Sequence, residues 1–387
     1  MAHSNTIFRQ VLQLLNRHDF CRIEKNGFQP KRRYRTLDRW SQFVAMMFAQ
    51  ITGRCSLRDI VQHFQFHGTK LYHLGVGQVR RSTLADANNK RPAAFLEALF
   101  AHQYAKCAAY APKKKFRFKN KLFSLDASVV DLCLSLFPWA SFRTTKGGVK
   151  LHTLLDHDGY LPAFIQITPA KVADLTVARL IKLPAYSIVA MDRAYLDFSW
   201  LAKLTKNKVF FVIRLKRGIK YRVLERRPVN KAKGLTSDQT IMFTGAKAAE
   251  CPIRLRRIGY RDPETAHHYV FLTNIFHLSP RTICDIYRER WQVELFFKWI
   301  KQNLKIKSFL GTSRNAVMTQ IWVAVITMLL LAYYKFRAKL GHTLSQILKL
   351  LQLNLFSKKN LWKLFDPAPT KHMPPTTEQL SLNLSYL

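Results

Sequence analysis

Residues 186–214 read YSIVAMDRAYLDFSWLAKLTKNKVFFVIR, and this stretch decides the fold. The run up to Met191 is apolar and closes on Asp192. DFSWLAKLTKN carries apolar residues at helical spacing, and VFFVIRLK is a second apolar run. Short apolar runs bounded by polar turns mark strands buried on both faces. A strand, a helix and a strand in that order form the crossover that builds α/β sheets.

Upstream, KLHTLLDHDGYLPAFIQIT reads as two strands, 150–155 and 160–167, joined by a tight Asp-Gly turn. KLFSLDAS reads as a strand ending at Asp126. VVDLCLSLF is an apolar run of either type, and ADLTVARLIKL reads as a helix. Antiparallel hairpins followed by β-α-β units predict a mixed α/β sheet. Downstream, YRVLE, QTIMF, PIRLRRIGY and HHYVFLTNI are short strand-like runs that read as a β-rich insertion. Ser279 and Pro280 supply an N-cap and a first-turn proline, so a helix is predicted from 280 to about 303. Further helices are expected near 315–338 and 343–354. The tail DPAPTKHMPPTTEQ is proline-rich and reads as disordered or extended.

The first hundred residues read as helices. Phe8, Val11, Leu12 and Leu15 share a helical face, as do Trp40, Phe43, Val44, Met47, Phe48 and Ile51 before a stop at Gly53. Ser56 with Asp59 forms a capping signal, and Pro92 opens AAFLEALFAHQYA. Basic segments QPKRRYR and GQVRRST lie between the helices, and APKKKFRFKNK (111–121) is a Pro- and Lys-rich hinge. The domain plan is therefore a helical 1–112, whose basic loops read either as a DNA-binding surface or as a solvated basic face; a sheet domain over 117–215 and 276–340; an insertion at 216–275; and a C-terminal helix and tail at 341–387.

Lys and Arg total 63 against 23 Asp and Glu, a net charge of +40. The imbalance runs along the whole chain. Such a surface attracts a polyanion, with nucleic acid first and an anionic membrane second. A basic ribosomal component is the plain alternative, but 48% hydrophobic residues at this length support a large core. The six cysteines are scattered, with neither zinc spacing nor a disulfide framework, which fits a reducing compartment such as the cytoplasm. MAHSNTIFRQ lacks an apolar signal core. IWVAVITMLLLAYY (321–334) is short for a span and reads as a buried core helix, so no membrane is expected.

There is no glycine-rich phosphate loop, no GxSxG and no HExxH. The scarce acids carry the chemistry. Carboxylates beside phosphates repel them, unless they hold divalent metal. Two such ions can activate an attacking oxygen and stabilise the leaving one in phosphodiester cleavage. Asp126 and Asp192 each close an apolar strand. If the strands are neighbours, both carboxylates emerge at one sheet edge. Glu294, in YRERWQVELFFKWIK (287–301), is the third acid, preferred to Asp285 and Glu289. At about 100° per residue, Tyr287, Arg290, Glu294 and Lys301 fall within roughly 60° of one another. Val293, Phe296, Ile300 and Leu304 form an adjoining apolar stripe.

These residues together resemble the bacterial DDE transposases of the insertion-sequence-4 family. The resemblance rests on Asp126 in SLDAS, Asp192 in MDRAYLDF, and a Tyr-x2-Arg-x3-Glu-x6-Lys signature met in full by Tyr287, Arg290, Glu294 and Lys301. GGVKLHTLLDHDGYLPAF and the N-terminal SLRDIVQHF are similar to the family's segments as well, and coverage is about 1–340. The resemblance implies an RNase H-like core interrupted by a β-strand insertion. It implies Mg2+- or Mn2+-dependent cleavage at transposon ends and strand transfer into target DNA, with Asp126, Asp192 and Glu294 as ligands of two ions. Tyr287, Arg290 and Lys301, with Arg193 beside them, are then expected on transposon-end phosphates. Two DNA ends must meet, so a homodimer is expected on DNA. The rival readings are a metal-dependent endonuclease without strand transfer and a non-catalytic DNA-binding protein. Residues 202–290 contain no Trp, so a base-stacking role would fall to Tyr221, Tyr260 or Tyr269.

Overall fold

The structure, a computed structural model, describes residues 5–30, 34 and 36–366. The predicted tail from 367 onward, and 31–33 and 35 of the first basic segment, lie outside the described residues. Helices come first: α1 (Ile7–Gln13), α2 (Arg17–Lys25), α3 (Arg39–Thr52), α4 (Leu57–Phe66), α5 (Gly68–Leu71), α6 (Arg81–Lys90) and α7 (Ala94–Ala108). Asp38 caps α3, and Gly53 ends it in the left-handed conformation with φ 71°. That conformation costs glycine nothing, which is why the periodic run stops there.

The sheet then begins with β1 (Leu122–Leu132), β2 (Ser141–Arg143), β3 (Lys146–Asp156) and β4 (Leu161–Pro169). After α8 (Asp174–Ala178) come β5 (Ile188–Met191), α9 (Phe198–Lys206) and β6 (Phe210–Arg214). β1 and β3 pair antiparallel, as do β3 and β4, while β1, β5 and β6 run parallel. The resulting order β4–β3–β1–β5–β6 is the RNase H-like arrangement, and the opening stretch supplies its parallel crossover. β5 is buried along its whole length. Val189 and Met191 face α9 residues Trp200, Leu201 and Leu204, whereas Ile188 and Ala190 face the opposite layer. A strand covered on both sides reads as an unbroken apolar run.

β7 (Tyr221–Arg227), β8 (Leu235–Phe243), β9 (Leu255–Arg261) and β10 (His268–Thr273) follow. They do not form a sheet of their own. β10 pairs antiparallel with β6, so the ten strands make one continuous sheet. The last helices are α10 (Pro280–Glu289), α11 (Trp291–Asn303), α12 (Arg314–Arg337) and α13 (Leu344–Asn354). α10 lies on the β5–β6 face through Ile283, Cys284 and Ile286. α12 packs against α3, α6, α7 and α13. Its core belongs to one cluster with Val130, Val149 and Leu155 of the sheet, so helices and sheet share an interior.

Four local expectations are corrected. The strand at Asp126 does not end there: β1 continues to Leu132, because β3 pairs with it as far as Leu132↔Gly147. The hairpin turn is centred one residue later than Asp-Gly. Gly159 and Tyr160 are its two left-handed residues, at φ 71° and 53°. ADLTVARLIKL folds as a helix only over Asp174–Ala178. The helix from 280 is two helices, α10 and α11, joined at Arg290. There the backbone tightens to three-residue hydrogen bonds, Arg290 N–H to Tyr287 O and Val293 N–H to Arg290 O, both 3.1 Å. Such a tightened turn inside a helical run marks a joint.

Candidate active site

The last parallel pair of β1 and β5 is Leu125↔Met191. The next residue on each strand is an aspartate. Register alone therefore sets Asp126 and Asp192 at the same edge. β5 stops there while β1 runs on, which leaves the far half of β1 without a neighbour on that side. α11 packs on β1. Its Lys301 ammonium donates to Ser128 Oγ and to the Val129 carbonyl, both at 2.7 Å.

Arg290, at the α10–α11 joint, reaches both elements. Its Nη1 donates to Asp126 Oδ2 at 3.0 Å and its Nη2 to Glu294 Oε1 at 2.6 Å. The guanidinium side chain is 13% exposed, so this fork works largely out of water. Tyr287 lies beside it, its ring centroid 5.8 Å from the guanidinium carbon, and packs on Phe271. Tyr287, Arg290, Glu294 and Lys301 thus keep a common side across the joint. Arg193 is exposed next to Asp192.

Burial pushes the Asp126 carboxyl up to about 6. The Ala127 N–H and Arg290 pull it down, and the negative charges of Glu294 and Asp192 push it up again. Asp126 thus feels the charge of both other acids. Among the described residues several polar atoms near them have no partner: Tyr195 Oη, Thr153 Oγ1 and Arg290 Nε are buried without a hydrogen bond. The Tyr195 side chain is 1% exposed. Its hydroxyl is pushed far up by burial and by the charges of Asp174, Asp126 and Asp192. Buried polar groups left without partners are uncommon and call for an explanation. Sequence reasoning missed Tyr195, although it stands three residues after Asp192 in MDRAY.

Carboxylate oxygens are the hard donors that Mg2+-type ions take. Among the described residues, no three Asp, Glu, His or Cys side chains are gathered closely enough to hold one ion. The Arg290 fork lies between Asp126 and Glu294 and supplies the positive charge there. The residues nevertheless fit a dication. Asp126 is pushed up chiefly by burial, with Glu294 and Asp192 adding to it, and a dication beside a buried carboxylate with two further acids near it would stabilise its charged form. A cavity of about 380 Å³ opens beside Asp192, between Arg214, Tyr269, Phe271, Tyr287 and Arg290. Tyr260 and Tyr269 line it. Tyr221 stands apart, under the Arg257 guanidinium at 5.5 Å.

The strand order and the acids at its edge define an RNase H-like enzyme suited to phosphodiester chemistry. A family model described as "Transposase DDE domain" matches residues 117–330, and a domain of unknown function matches 3–77. A Sinorhizobium fredii protein named as transposase y4zB is 30% identical over 315 residues, 79% of this chain and 86% of its own. A Geobacillus stearothermophilus protein named as the transposase of insertion sequence element IS5377 is 30% identical over 271 residues, 69% of this chain and 71% of its own. A Synechocystis protein named as the transposase of element IS4SA is 24% identical, covering 85% and 91%. The chain belongs to the DDE transposase family of bacterial insertion sequences. It is an enzyme that acts on DNA, cleaving and transferring strands with the help of divalent metal.

Proposed function

We propose that Asp126, Asp192 and Glu294 are the catalytic carboxylates and hold two ions, Mg2+ or Mn2+, while the chain cuts its element's terminal inverted repeats and joins them to target DNA. The observation that carries this reading is the Arg290 fork. It ties an acid on β1 to an acid on α11 at the edge where β5 delivers a third. Bound metal supplies Lewis acidity to the attacking and leaving oxygens.

The chain's own groups do the positioning. A guanidinium fork matches a phosphate as well as it matches a carboxylate. Arg290 therefore exchanges Asp126 for a transposon-end phosphate as DNA arrives, which frees the carboxylate. Lys301 gives two of its three ammonium protons to β1 and keeps the third for a phosphate. Tyr287 and Arg193 flank the same path. The unpartnered Tyr195 hydroxyl donates to the carboxylate cluster once the cluster is fully charged. A homodimer follows from the need to bring two ends together, in the cytoplasm where the DNA lies. In this reading 1–112 binds DNA, 216–275 is the insertion, and 117–215 with 276–340 is the catalytic domain.

The test uses a duplex carrying the inverted repeat that flanks the gene. Asp126→Asn, Asp192→Asn and Glu294→Gln each reduce metal-dependent nicking to background while gel-shift binding of the duplex stays largely intact. Full nicking by any of the three removes that residue from the site.

A further inference from the structure

A second basic feature lies beside the start of β1. The Lys-rich hinge after α7, the β3–β4 turn and the end of α12 enclose a cavity of about 640 Å³. Lys113, Lys114, Lys115, Lys335 and Lys339 line it together with Tyr110, Tyr160 and Phe336, and no carboxylate is among its lining residues. It lies toward the start of β1, before Asp126. Asp156, which precedes the turn, pairs with Phe123 at the start of β1, whereas Asp192 follows the far end of β5. A smaller cavity of about 230 Å³ continues it along the face of α11 that carries Gln292, Leu295 and Trp299. Around the helix, this is the side opposite Arg290 and Glu294.

The lysines divide into two kinds. Lys113 and Lys121 reach Asp158 at 3.5 and 3.3 Å, and Lys121 also reaches Asp156 at 2.7 Å, so these cations brace the floor. Lys115, Lys335 and Lys339 have no ion pair or hydrogen bond to their ammonium groups among the described residues. Lys115 comes from the hinge and Lys335 and Lys339 from the end of α12 and just past it, so the fold brings two segments' unspent charges to one opening. The opening is held by backbone. At Gly159 an added Cβ would lie 2.9 Å from both Ala111 Cβ and Phe336 Cζ. Tyr160 sits at φ 53°, a strained conformation for an aromatic residue. Its hydroxyl donates to Glu289 Oε2 at 3.2 Å, the residue just before the Arg290 joint.

A groove of about 640 Å³ with unpaired ammonium groups from two segments on its lining has room for far more than one small anion. Those groups match charge repeated along a line, as on a nucleic-acid backbone. Aromatic rings between them add stacking surface. We propose that this groove holds the phosphate backbone of a second DNA duplex while another lies at the carboxylates. The choice of DNA over other polyanions rests on the transposase reading; the site itself rests on the geometry.

The experiment uses the full chain, saturated with unlabelled duplex of the flanking inverted repeat. Binding of a labelled duplex of unrelated sequence is then followed over a salt series. The triple variant Lys115→Gln, Lys335→Gln, Lys339→Gln is compared with a control of equal charge change, Lys182→Gln, Lys203→Gln, Lys206→Gln, whose positions are exposed elsewhere. Expected for the groove variant is a drop in the log–log salt slope of about 2 to 3, from roughly 0.9 per contact, with affinity for the second duplex at least about tenfold weaker. Repeat binding and nicking stay within about twofold of wild type, and the control changes little. Equal losses in both triples, an unchanged second duplex, or repeat binding that falls in step each overturn the proposal. So does loss of binding to anionic phosphatidylserine vesicles with DNA binding unchanged. Failure of the wild type to nick the repeat strikes the carboxylate assignment instead, since the groove is read from binding alone.

Discussion

Two clusters of acids stand along β1, one beside its start at the β3–β4 turn and one at Asp126, and their surroundings differ. At the turn end, Asp156 accepts from Tyr104 Oη at 3.0 Å, Lys121 Nζ at 2.7 Å and the Asp158 N–H at 2.9 Å. Asp158 accepts from the Lys114 N–H at 2.9 Å and holds its carboxyl below the usual range despite burial. His157 between them pairs with Ser124 Oγ at 2.7 Å. Around Asp126, two acids share one arginine, Asp126 itself is pushed up, and among the described residues buried hydroxyls nearby lack partners. A structural acid is surrounded until its charge is satisfied. A working acid is left short, and the shortfall is what metal and DNA are there to fill.

The largest expected effect breaks the turn end. Asp156→Ala leaves Lys121 and Tyr104 facing an empty, buried position and lowers stability by about 3 kcal/mol, read by urea unfolding. Asp126→Asn, in the other cluster, changes unfolding in metal-free buffer by less than about 1 kcal/mol, because it removes a buried charge as well as a partner of Arg290. Equal losses at the two positions would erase the contrast.

An acid titration of stability comes next. His157 is 2% exposed, and burial lowers its pKa from 6.5 to about 4. The unfolded chain binds this proton first. Stability from His157 is therefore complete above about pH 6.5 and is lost as pH falls toward about 4, by roughly 3 kcal/mol. His157→Gln flattens that part of the stability–pH curve; an unchanged curve places the acid sensitivity elsewhere, His152 included.

Smaller effects sharpen the working end. Tyr195→Phe removes a hydroxyl that bonds to nothing, so stability holds within about 0.5 kcal/mol or rises, while nicking slows. A drop in stability with normal nicking would make Tyr195 purely structural. Lys301→Ala lowers the salt slope of repeat binding by about one contact. An unchanged slope leaves Lys301 as a strut for β1 alone.

The parallel crossover was legible because β5 and β6 are covered on both faces, so their apolar runs have no polar interruption. The alignment of Asp126 with Asp192 was legible too, since each acid directly follows a strand-like, mostly apolar run. β1 beyond Asp126 was not, because its partner β3 lies elsewhere in the chain and Ser128 and Asp131 break the pattern. The joint at Arg290 was hidden as well: 280–303 keeps its helical period through a turn that only hydrogen bonding reveals. Nor could sequence show that Tyr195 lacks a partner, since an orphaned atom is a fact about its neighbours.

α12 bears on how the chain is made. Its 24 residues are apolar enough to cross a membrane, yet 94% of its most apolar window is buried inside the protein. During synthesis this segment emerges late, when α3, α6 and α7, which will cover it, have already left the ribosome. The N-terminal helices are thus in place as a receiving surface before the most insoluble part of the chain meets water. A truncated chain without them would present that segment bare, to aggregation or to the membrane.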